Sequence, residues 1–411
     1  MDFSPSVEQE AVRAKAHRLA ETVVGPAARR ADEERRFDRS VITALAREGI
    51  LGGPIPREFG GGGWDDVSFV LACEELGRVD AAVRGFLCVH AGLVARTVHD
   101  HGTPDQRARW LPRLASGEWL GAYALTEEGA GSDAAAIATR AREEGDSFVL
   151  DGEKIWITNG GISDFLLVFA TVDPALGRRG IACFAVEPGA RGLERERMPG
   201  IELGHRGADH ARLVLRGLRV PRDAVLGPIG GGYGVAMGAL DHGRLGVAAG
   251  AVGLHAACLE LSIAHARTRR QFGKRIGDFQ MIQERLADMS ASLEASRLLV
   301  RRAAWARSRG ERDPAAVAAA KLFATEAAER AASEAVLLLG SRGYSSESPV
   351  ERHYRDAQGL RIYEGTSHIQ RIVVARALLG KDDASGAAVT PASAARPTGT
   401  TGGAGPSGGA A

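Results

Sequence analysis

Residues 122–160 constrain the fold of this chain more than any other part of its sequence. An apolar run, Tyr123–Thr126, indicates the end of a strand, and a loop of small residues, Gly129–Asp133, follows it directly. Such a loop lets backbone N–H groups approach an anionic or carbonyl-bearing ligand closely. The stretch therefore predicts a ligand-binding loop at the end of a strand.

Two more strands are predicted after this loop, Phe148–Leu150 and Lys154–Thr158, joined by the hairpin signal Asp151-Gly152. The loop and the strands also carry three hydroxyl groups and one large aromatic ring, those of Thr126, Ser132, Thr158 and Trp156. Hydroxyl groups beside a flat aromatic face suit a planar ring system with hydrogen-bonding atoms.

A second interpretation of the loop is a dinucleotide fingerprint, because Gly129, Gly131 and Ala134 match G-x-G-x-x-A. That fingerprint requires a crossover helix and then a parallel strand. Here a predicted hairpin follows, and no acidic residue ends a second parallel strand. The sequence therefore disfavours a nicotinamide-type Rossmann site.

The periodicity of the sequence divides its 411 residues into helical and β regions. This length exceeds one typical domain, and two or three domains are expected. Residues 1–120 are predicted to be helical, residues 121–228 to form a compact β-domain, and residues 229–381 to be helical again. Residues 382–411 consist mainly of Gly, Ala, Ser, Thr and Pro and are predicted to be disordered. The expected fold class is α+β.

Local signals place several helices in the first region. Ser6 and Gln9 form a capping box ahead of a helix predicted over Val7–Val24, which Gly25-Pro26 should end. Thr103-Pro104 should start another helix, since Thr is a good N-cap and Pro suits the first turn. The apolar stretch Ala81–His99 is predicted to be a central helix.

Composition excludes several classes of function. A net charge of +1 argues against a nucleic-acid partner and against a membrane-surface partner. The sequence has no run of about 18 uninterrupted apolar residues, so no transmembrane helix is predicted. The N-terminal residues lack the apolar core of a signal peptide. We therefore expect a cytoplasmic protein.

No metal site is expected. The cysteines are Cys73, Cys88, Cys183 and Cys258. Their spacing indicates neither a metal knuckle nor a redox pair, and buried free thiols are predicted. His90, His99 and His101 lie near one another, but the sequence around them does not complete a metal-ligand set.

Four glycines form a stripe on the long helix predicted over Val235–Arg267. They are Gly243, Gly246, Gly250 and Gly253, spaced by three, four and three residues. Each Gly disfavours the helix by about 1 kcal/mol relative to Ala. The stripe implies that a neighbouring helix or a ligand approaches the backbone closely, and both can do so at different heights.

A second strong signal is the segment Arg361–Arg371, which contains Tyr363-Glu364-Gly365. Taken alone, a Glu in such a turn is most simply a solvated loop residue. Together with residues 122–160, however, the segment resembles the Y-E-G-T-S-x-I-Q-R motif of the acyl-CoA dehydrogenase family. The loop TEEGAGSD and the strand W-I-T likewise resemble the flavin-binding signature of that family.

The resemblance covers Val7–Gly380 and implies three domains: an N-terminal helical domain, a middle β-barrel domain and a C-terminal four-helix bundle. It implies FAD as cofactor and Glu364 as the catalytic base that removes a Cα proton from an acyl thioester, while flavin N5 accepts the Cβ hydride. Burial of a carboxylate beside apolar groups raises its pKa and makes it a stronger base. In one subgroup the base lies instead just before the Arg of a D-x-x-R motif, a place that Gly243 takes here.

The resemblance also assigns binding residues. Flavin contacts from the middle domain are implied for Tyr123, Leu125, Thr126, Gly131, Ser132, Trp156 and Thr158, with the Thr158 hydroxyl near N5. Contacts to FAD from the helical region are implied for Arg269, Phe272, Gln280, Gly340, Thr366 and His368. Arg269 would pair with the pyrophosphate, Phe272 would pack on the adenosine, and Gln280 would add a hydrogen bond. These groups would reach the FAD of a neighbouring subunit, which implies a homotetramer. Substrate contacts are implied for Ser132, Asp241, Arg244 and Gly365.

Some positions depart from the family pattern. Glu128 replaces a usual Pro in the flavin loop, and Leu337, Ser341 and His368 replace residues common on the neighbour-subunit face. These departures predict weaker FAD binding. The segment Leu240–Arg244 is most like the short-chain members, which act on substrates such as butyryl-CoA and pass electrons to a partner such as an electron-transfer flavoprotein.

Three alternatives stay open at the level of sequence. The thioester could be carried by an acyl carrier protein, since both carriers present the same phosphopantetheine arm. A flavin oxidase or monooxygenase can use the same fold, although hydroxylases of this fold need no base at Glu364. A non-catalytic scaffold that has lost the flavin is disfavoured by Thr126, Ser132, Thr158 and Arg269 together with Glu364.

Overall fold

The structure is a computed structural model that describes residues 4–380. The tail predicted to be disordered, residues 382–411, lies outside the described residues. The described chain is helical, then β, then helical, as the periodicity predicts.

Between residues 4 and 120 the chain contains seven α-helices, one short 3₁₀ turn and two π-helical segments. The α-helices are α1 Val7–Leu19, α2 Gly25–Glu34, α3 Arg39–Arg47, α4 Asp66–Val79, α5 Ala81–Leu87, α6 Arg96–His101 and α7 Pro104–Ser116. The Ser6–Gln9 capping box and the Thr103 N-cap with Pro104 behind it are both confirmed.

The prediction that Gly25-Pro26 ends the first helix is wrong. A π-helical turn, Ala20–Val24, connects α1 directly to α2. Pro26 follows this turn at the second position of α2, and the helix continues through it, so the change from π-helix to α-helix takes place beside a proline that lacks an N–H donor.

The predicted central helix runs from Ala81 to His101 and contains a π-helical segment, Cys88–Ala95. Every residue of that segment is buried. This stretch and the helix Gly232–Thr268 are both long and apolar enough to span a membrane, and most of each is buried inside the fold. Both are therefore interior helices of this structure.

The middle region forms one eight-stranded sheet. Its strands are β1 Gly121–Ala124, β2 Arg140–Glu144, β3 Ser147–Thr158, β4 Phe165–Thr171, β5 Ile181–Val186, β6 Leu193–Arg197, β7 His210–Pro221 and β8 Val225–Leu226. The strand order is β6-β7-β3-β2-β4-β5-β8, and β1 pairs in parallel with β4. Strands β4 and β5 are buried along their whole length.

The predicted hairpin at Asp151-Gly152 is wrong, because residues 147–158 form the single strand β3. The hairpin lies one strand earlier, where Glu144 pairs with Ser147 across Gly145-Asp146. At Gly152 the strand has a β-bulge, and a Cβ there would lie 2.5 Å from Thr139 Oγ1. Gly152 thus permits Thr139 to approach the backbone of β3 closely. In the sequence alone, a glycine of this kind looks the same as a turn signal.

Between residues 229 and 380 the chain contains five α-helices and a small two-stranded hairpin. The helices are α8 Gly232–Thr268, α9 Gln280–Ser308, α10 Pro314–Leu339, α11 Pro349–Leu360 and α12 Ser367–Leu378, and the hairpin strands are β9 Arg270–Gln271 and β10 Lys274–Arg275. Asp313 caps α10, and Gly340 ends it. Helix α8 lies between the N-terminal helices and α9 to α10, and one continuous apolar core joins them.

The glycine stripe of α8 faces different neighbours along its length. At Gly253 a Cβ would lie 2.0 Å from the carbonyl oxygen of Glu74 on α4, and at Gly246 it would lie 2.5 Å from Cys88 Sγ. At Gly243 the nearest atom would be a carboxylate oxygen of Glu364, also at 2.5 Å. Close neighbours therefore approach the stripe along its length, as predicted. At Gly253 and Gly246 the neighbours are packed helices, and at Gly243 the neighbour is the predicted catalytic carboxylate of Glu364.

Candidate active site

Glu364 lies in a tight turn between α11 and α12, and its backbone is left-handed, with φ 56°. The next residue, Gly365, also has a positive φ of 86°. Two consecutive residues with positive φ reverse the direction of the chain sharply. Only Gly adopts a positive φ without strain, because it has no Cβ. The turn directs the Glu364 side chain toward the missing side chain of Gly243 on α8.

Lys321 on α10 stabilises this turn through hydrogen bonds to its backbone. Its side chain is buried, and Nζ donates to the carbonyl oxygens of Tyr363 at 2.6 Å and Gly365 at 2.5 Å. Gln370 donates from Nε2 to the carbonyl oxygens of Glu364 at 3.2 Å and Gly365 at 2.8 Å. Three successive carbonyl groups are therefore bound by buried side chains, which fixes the strained turn.

The predicted substrate residues Asp241 and Arg244 are both buried on α8 beside this turn. Arg244 Nη1 donates to Asp241 Oδ1 at 2.8 Å, and its Nε donates to the carbonyl oxygen of Glu364 at 3.3 Å. The structure thus brings Asp241, Arg244, Glu364 and Gly365 together, as the resemblance implies.

The Glu364 carboxyl group is suited to accept a proton. Its Oε2 atom is buried and has no hydrogen-bond partner. Burial raises the pKa of Glu364 to about 7, and the positive charges of Lys321, Arg244 and Arg84 oppose that rise. A carboxylate with a pKa near 7 is both ionised and basic around neutral pH.

Arg84, which is buried, and Tyr363, which is half-buried, form a second layer of side chains next to Glu364. Arg84 Nη2 donates to the Tyr363 hydroxyl at 2.5 Å, and the Tyr363 ring packs edge-on against His205 with ring centres 5.4 Å apart. Burial raises the pKa of Tyr363 to about 12, and the Arg84 charge limits that rise. The phenol is therefore neutral at physiological pH.

A buried ion pair supports the predicted flavin loop. Lys154 on β3 donates from Nζ to Glu127 Oε1 at 2.6 Å and to the carbonyl oxygen of Leu125 at 3.0 Å. Glu127 also accepts from the backbone N–H groups of Ala138 and Thr139. These contacts join the residues before the loop to the residues after it. Within the loop, Gly131 and Ser132 are exposed.

The other predicted flavin residues of the middle region lie next to this loop and differ in their exposure. Tyr123 is buried on β1, and the negative charge of Glu364 is among the causes that raise its pKa, burial being the largest. Thr126 and Thr158 are half-buried, and Trp156 is 49% exposed with φ 56°. A half-exposed aromatic ring beside the half-buried Thr126 and Thr158 fits the planar cofactor that the sequence predicts.

The remaining predicted cofactor residues lie elsewhere in this chain. Arg269, Phe272 and Gln280 follow the C-terminal end of α8, and all three are exposed, Phe272 to 93%. Arg244 and Arg269 are 25 residues apart on or at the end of one helix, which corresponds to about 37 Å. One chain therefore does not bring Arg269 to the Glu364 site.

The predicted FAD contacts Thr366 and His368 lie near the Glu364 turn. The predicted contact Gly340 lies at the C-terminal end of α10. Thr366 caps α12, and its hydroxyl accepts from Ile369 N at 3.3 Å, whereas His368 is exposed on the first turn of that helix. Gly340 ends α10 with φ 61° and is also exposed.

Cysteines and histidines play structural parts in the described residues. All four cysteines are buried and unbridged, as predicted, but Cys73 and Cys88 Sγ lie 3.7 Å apart, a proximity that their spacing of 15 residues did not indicate. His90 bonds the carbonyl oxygen of Leu114 and the N–H of Gly121. No group of three metal-ligating side chains occurs between residues 4 and 380.

Sequence reasoning missed Lys321, Gln370, Lys154 and Arg84. Gln370 is within the Y-E-G-T-S motif and could have been found there. The other three are single basic residues in ordinary helix or strand patterns, and only the tertiary structure brings them to the site.

Comparison with known proteins identifies the family. Models for the N-terminal, middle and C-terminal domains of acyl-CoA dehydrogenases match residues 6–118, 122–218 and 230–379. This chain belongs to the acyl-CoA dehydrogenase family. The predicted family and its three-domain fold are therefore confirmed.

Relatives in this family are similar over nearly the whole described chain. The short-chain specific acyl-CoA dehydrogenase of Clostridium acetobutylicum is 38% identical over 374 residues, which cover 91% of this chain and 98% of that protein. The structure of butyryl-CoA dehydrogenase from Megasphaera elsdenii gives a TM-score of 0.90 at 38% identity, with 92% and 100% of the two chains covered. A chain from a structure described as the electron transferring flavoprotein of Acidaminococcus fermentans gives 0.90 at 37% identity, with the same coverage.

Proposed function

We propose that this protein catalyses FAD-dependent α,β-dehydrogenation of a short-chain acyl-CoA, with Glu364 as the base that removes the Cα proton. The observation that carries the proposal is the buried, unpartnered Oε2 of Glu364 on a turn fixed by Lys321, Gln370 and Arg244. The named short-chain and butyryl-CoA relatives support the substrate class.

The residues of this chain supply proton transfer and orientation. An ionised Glu364 takes the Cα proton, and the positive charges of Lys321 and Arg244 stabilise the ionised form. When FAD is bound, its isoalloxazine ring accepts the Cβ hydride and acts as the electron sink. Because Glu364 is on a rigid turn, its carboxylate is held in position for this transfer.

The middle domain offers the surface for FAD. Gly131, Ser132 and Thr126 provide backbone and hydroxyl donors, Trp156 provides an aromatic face, and Thr158 is on the same strand as Trp156. Tyr123 and Leu125 form the buried wall behind them. We assign the flavin ring to this surface, and Ser132, Asp241, Arg244 and Gly365 to the substrate.

A homotetramer and an electron-transfer flavoprotein complete the proposal. Arg269, Phe272, Gln280 and Gly340 are exposed and remote from Glu364, which supports their contribution to the FAD site of a neighbouring subunit. The similarity to a chain from a structure described as the electron transferring flavoprotein of Acidaminococcus fermentans supports that electron acceptor. We retain residues 120, 228 and 381 as proposed domain boundaries.

The visible spectrum of the purified protein without oxygen, before and after addition of butyryl-CoA, tests the function. We expect a flavin band that bleaches with substrate, because the reduced flavin absorbs little in the visible range. Glu364→Gln should retain the band and lose the bleaching, since the amide cannot accept the proton. A protein without a flavin band, or a Glu364→Gln variant that bleaches at the wild-type rate, would contradict the proposal.

A further inference from the structure

Two of the buried thiols lie against each other beside the catalytic turn. Cys73 Sγ on α4 is 3.7 Å from Cys88 Sγ, and neither residue is more than 2% exposed. Cys183 and Cys258 are just as buried, but among the described residues neither has a second thiol within hydrogen-bond distance. The spacing of the cysteines in the sequence indicates no redox pair, so the fold alone brings Cys73 and Cys88 together.

The surroundings of this pair favour a thiolate at Cys88. The hydrogen bond with Cys73 lowers the pKa of Cys88, and the positive charge of Arg84 acts in the same direction, against the effect of burial. Burial raises the pKa of Cys73, so Cys73 is the thiol that keeps its proton. A thiolate is the form of cysteine that attacks oxidants, and a neighbouring thiol converts the oxidised product into a disulfide.

The two sulfur atoms have a short distance to close. The S–S length of a disulfide is about 2.05 Å, so the sulfur atoms must approach each other by roughly 1.7 Å. Cys88 is the first residue of the π-helical segment Cys88–Ala95, where the hydrogen-bond register of the helix changes. Rotation of the Cys73 side chain and a small shift at this irregular junction bring the sulfur atoms together.

We propose that Cys73 and Cys88 are a reversible modification site, which hydrogen peroxide converts to a disulfide that slows the reaction at Glu364. The Cys88 thiolate attacks one peroxide oxygen, the O–O bond breaks, and the departing hydroxide takes up a proton to become water. Cys88 is then a sulfenic acid, and the Cys73 sulfur attacks its sulfur atom. The S–S bond forms as the S–O bond breaks, and the second hydroxide leaves as water with the Cys73 proton. Two thiols and one peroxide thus give one disulfide and two waters, with two electrons passed from sulfur to the peroxide.

The glycine stripe of α8 connects Cys88 to the catalytic carboxylate. A Cβ on Gly246 would lie 2.5 Å from Cys88 Sγ, and a Cβ on Gly243 would lie 2.5 Å from Glu364 Oε2. The two glycines are three residues apart, which corresponds to about 4.5 Å along the helix. Cys88 and Glu364 therefore pack on neighbouring turns of the same helix face.

A second connection passes through Arg84, which lies four residues before Cys88 on α5. Its Nη2 donates to the hydroxyl of Tyr363 at 2.5 Å, and Tyr363 directly precedes Glu364. Movement of Cys88 toward Cys73 therefore disturbs the side chains that support the catalytic turn. The disulfide itself does not depend on the proposed function, whereas its effect on Glu364 rests on it.

Peptide masses after peroxide treatment test the modification. The purified protein is treated with hydrogen peroxide, unfolded in an alkylating agent and digested with trypsin, which places Cys73 on residues 58–78 and Cys88 on residues 85–96. We expect these two peptides to be joined, to be lighter than their sum by two hydrogen atoms, and to separate in dithiothreitol. Cys183→Ala should behave as the wild type does, because that thiol has no partner, whereas Cys73→Ala should give no joined peptides.

The wild type alone decides this half of the proposal, so a misfolded variant would not obscure it. Peptides 58–78 and 85–96 that stay separate and alkylated after treatment overturn the proposal. Oxidation of Cys183 and Cys258 at the same rate as the pair also overturns it, because the contact between Cys73 and Cys88 would then confer no reactivity.

Anaerobic bleaching of the flavin by butyryl-CoA, after removal of the peroxide, tests the effect on Glu364. We expect the oxidised protein to be reduced roughly tenfold more slowly than the untreated protein, because the carboxylate loses its exact position. Dithiothreitol should restore the rate, and Cys73→Ala should keep its own rate through the treatment. A disulfide that forms without changing the rate overturns the effect on Glu364. An untreated protein that butyryl-CoA does not bleach contradicts the proposed function, while the peptide masses still decide the disulfide.

Discussion

At the scale of single residues, the site combines a strained backbone with a perturbed carboxyl group. Glu364 has a left-handed backbone, and the buried donors of Lys321, Gln370 and Arg244 bind the surrounding carbonyl groups. A non-Gly residue keeps such a conformation only where its surroundings fix it. The same burial that holds the turn raises the pKa of Glu364, so position and basicity have one structural cause.

The pH dependence of flavin reduction should follow the ionisation of Glu364. Because the base must be ionised and its pKa is raised to about 7, the rate should rise with pH and level off above about 7. Below that value it should fall about tenfold for each pH unit. Stopped-flow bleaching between about pH 5.5 and 9 measures this profile. A rate that stays constant down to the acid end would exclude Glu364 as the base.

Lys321→Met should shift this profile in the alkaline direction. The Lys321 charge is the largest of those that lower the pKa of Glu364, so its removal raises that pKa further. Burial lowers the pKa of Lys321 itself to about 7, so this shift applies to the acid side of the profile, where Lys321 is protonated. The carbonyl groups of Tyr363 and Gly365 also lose their shared donor, and we expect a fall of roughly ten- to a hundredfold in the reduction rate at pH 7. Lys15→Met, on the distant helix α1, serves as the control. A lower rate with an unshifted profile would show that Lys321 only supports the turn.

At the scale of secondary structure, helix α8 organises the molecule. Its glycine stripe allows α4 and the π-helical segment to pack closely at one end and leaves room for the Glu364 carboxylate at the other. The sequence predicts the stripe and its close neighbours, because four glycines on one helical face are unfavourable unless something replaces their side chains. It does not say which neighbour meets which glycine, since those contacts join residues more than a hundred positions apart.

Gly253→Ala and Gly238→Ala form a matched pair on this helix. At Gly253 the new methyl group would lie 2.0 Å from a backbone oxygen of α4, whereas at Gly238 the nearest atom is 4.0 Å away. We expect Gly253→Ala to destabilise the protein by about 1–3 kcal/mol and Gly238→Ala to change stability by less than about 1 kcal/mol. Thermal unfolding at saturating FAD compares them. Equal melting temperatures would mean that α4 and α8 can separate without cost.

The limits of sequence reasoning are clearest for the site. Glu364, the flavin loop and the D-x-x-R pair are each contained in a short motif, and the structure brings Glu364 together with Asp241 and Arg244. Lys321 and Arg84 are 43 and 280 positions away from Glu364, and each looks like an ordinary helix residue in sequence. The hairpin at Gly152 was predicted wrongly for a related reason. The close contact with Thr139 requires a glycine there, and in the sequence Asp151-Gly152 cannot be told apart from a turn.

At the scale of the whole molecule, the described chain contains two separated sets of predicted FAD contacts. One set surrounds Glu364, and the other follows the far end of α8, with Phe272 almost fully exposed. An exposed aromatic ring next to Arg269 is explained if a second subunit covers it. In that arrangement each FAD site is built from two chains, and the assembly is required for cofactor binding.

Arg269→Ala should therefore mainly reduce FAD retention. The guanidinium is the proposed partner of the pyrophosphate, so its loss weakens a bidentate contact to a doubly charged group. We expect the ratio of flavin to protein after gel filtration to fall several-fold, with the folded state retained. Arg302→Ala, an exposed arginine on α9, is the control. Unchanged flavin content in Arg269→Ala would remove the pyrophosphate assignment.

Mixed oligomers test whether the two sets of residues act on one site in different chains. Arg269→Ala keeps its own Glu364 but holds the neighbour's FAD weakly, whereas Glu364→Gln holds the neighbour's FAD but has no base. When the two variants are unfolded and refolded together with FAD, a chain with Glu364 can be paired with a chain that carries Arg269. If sites are shared between subunits, the mixture gains activity beyond the sum of the two variants, up to about a quarter to a half of wild type, depending on how the chains assort. If Arg269 and Glu364 serve the same chain's site, mixing restores nothing beyond the sum of the two variants, because no chain in the mixture carries both residues.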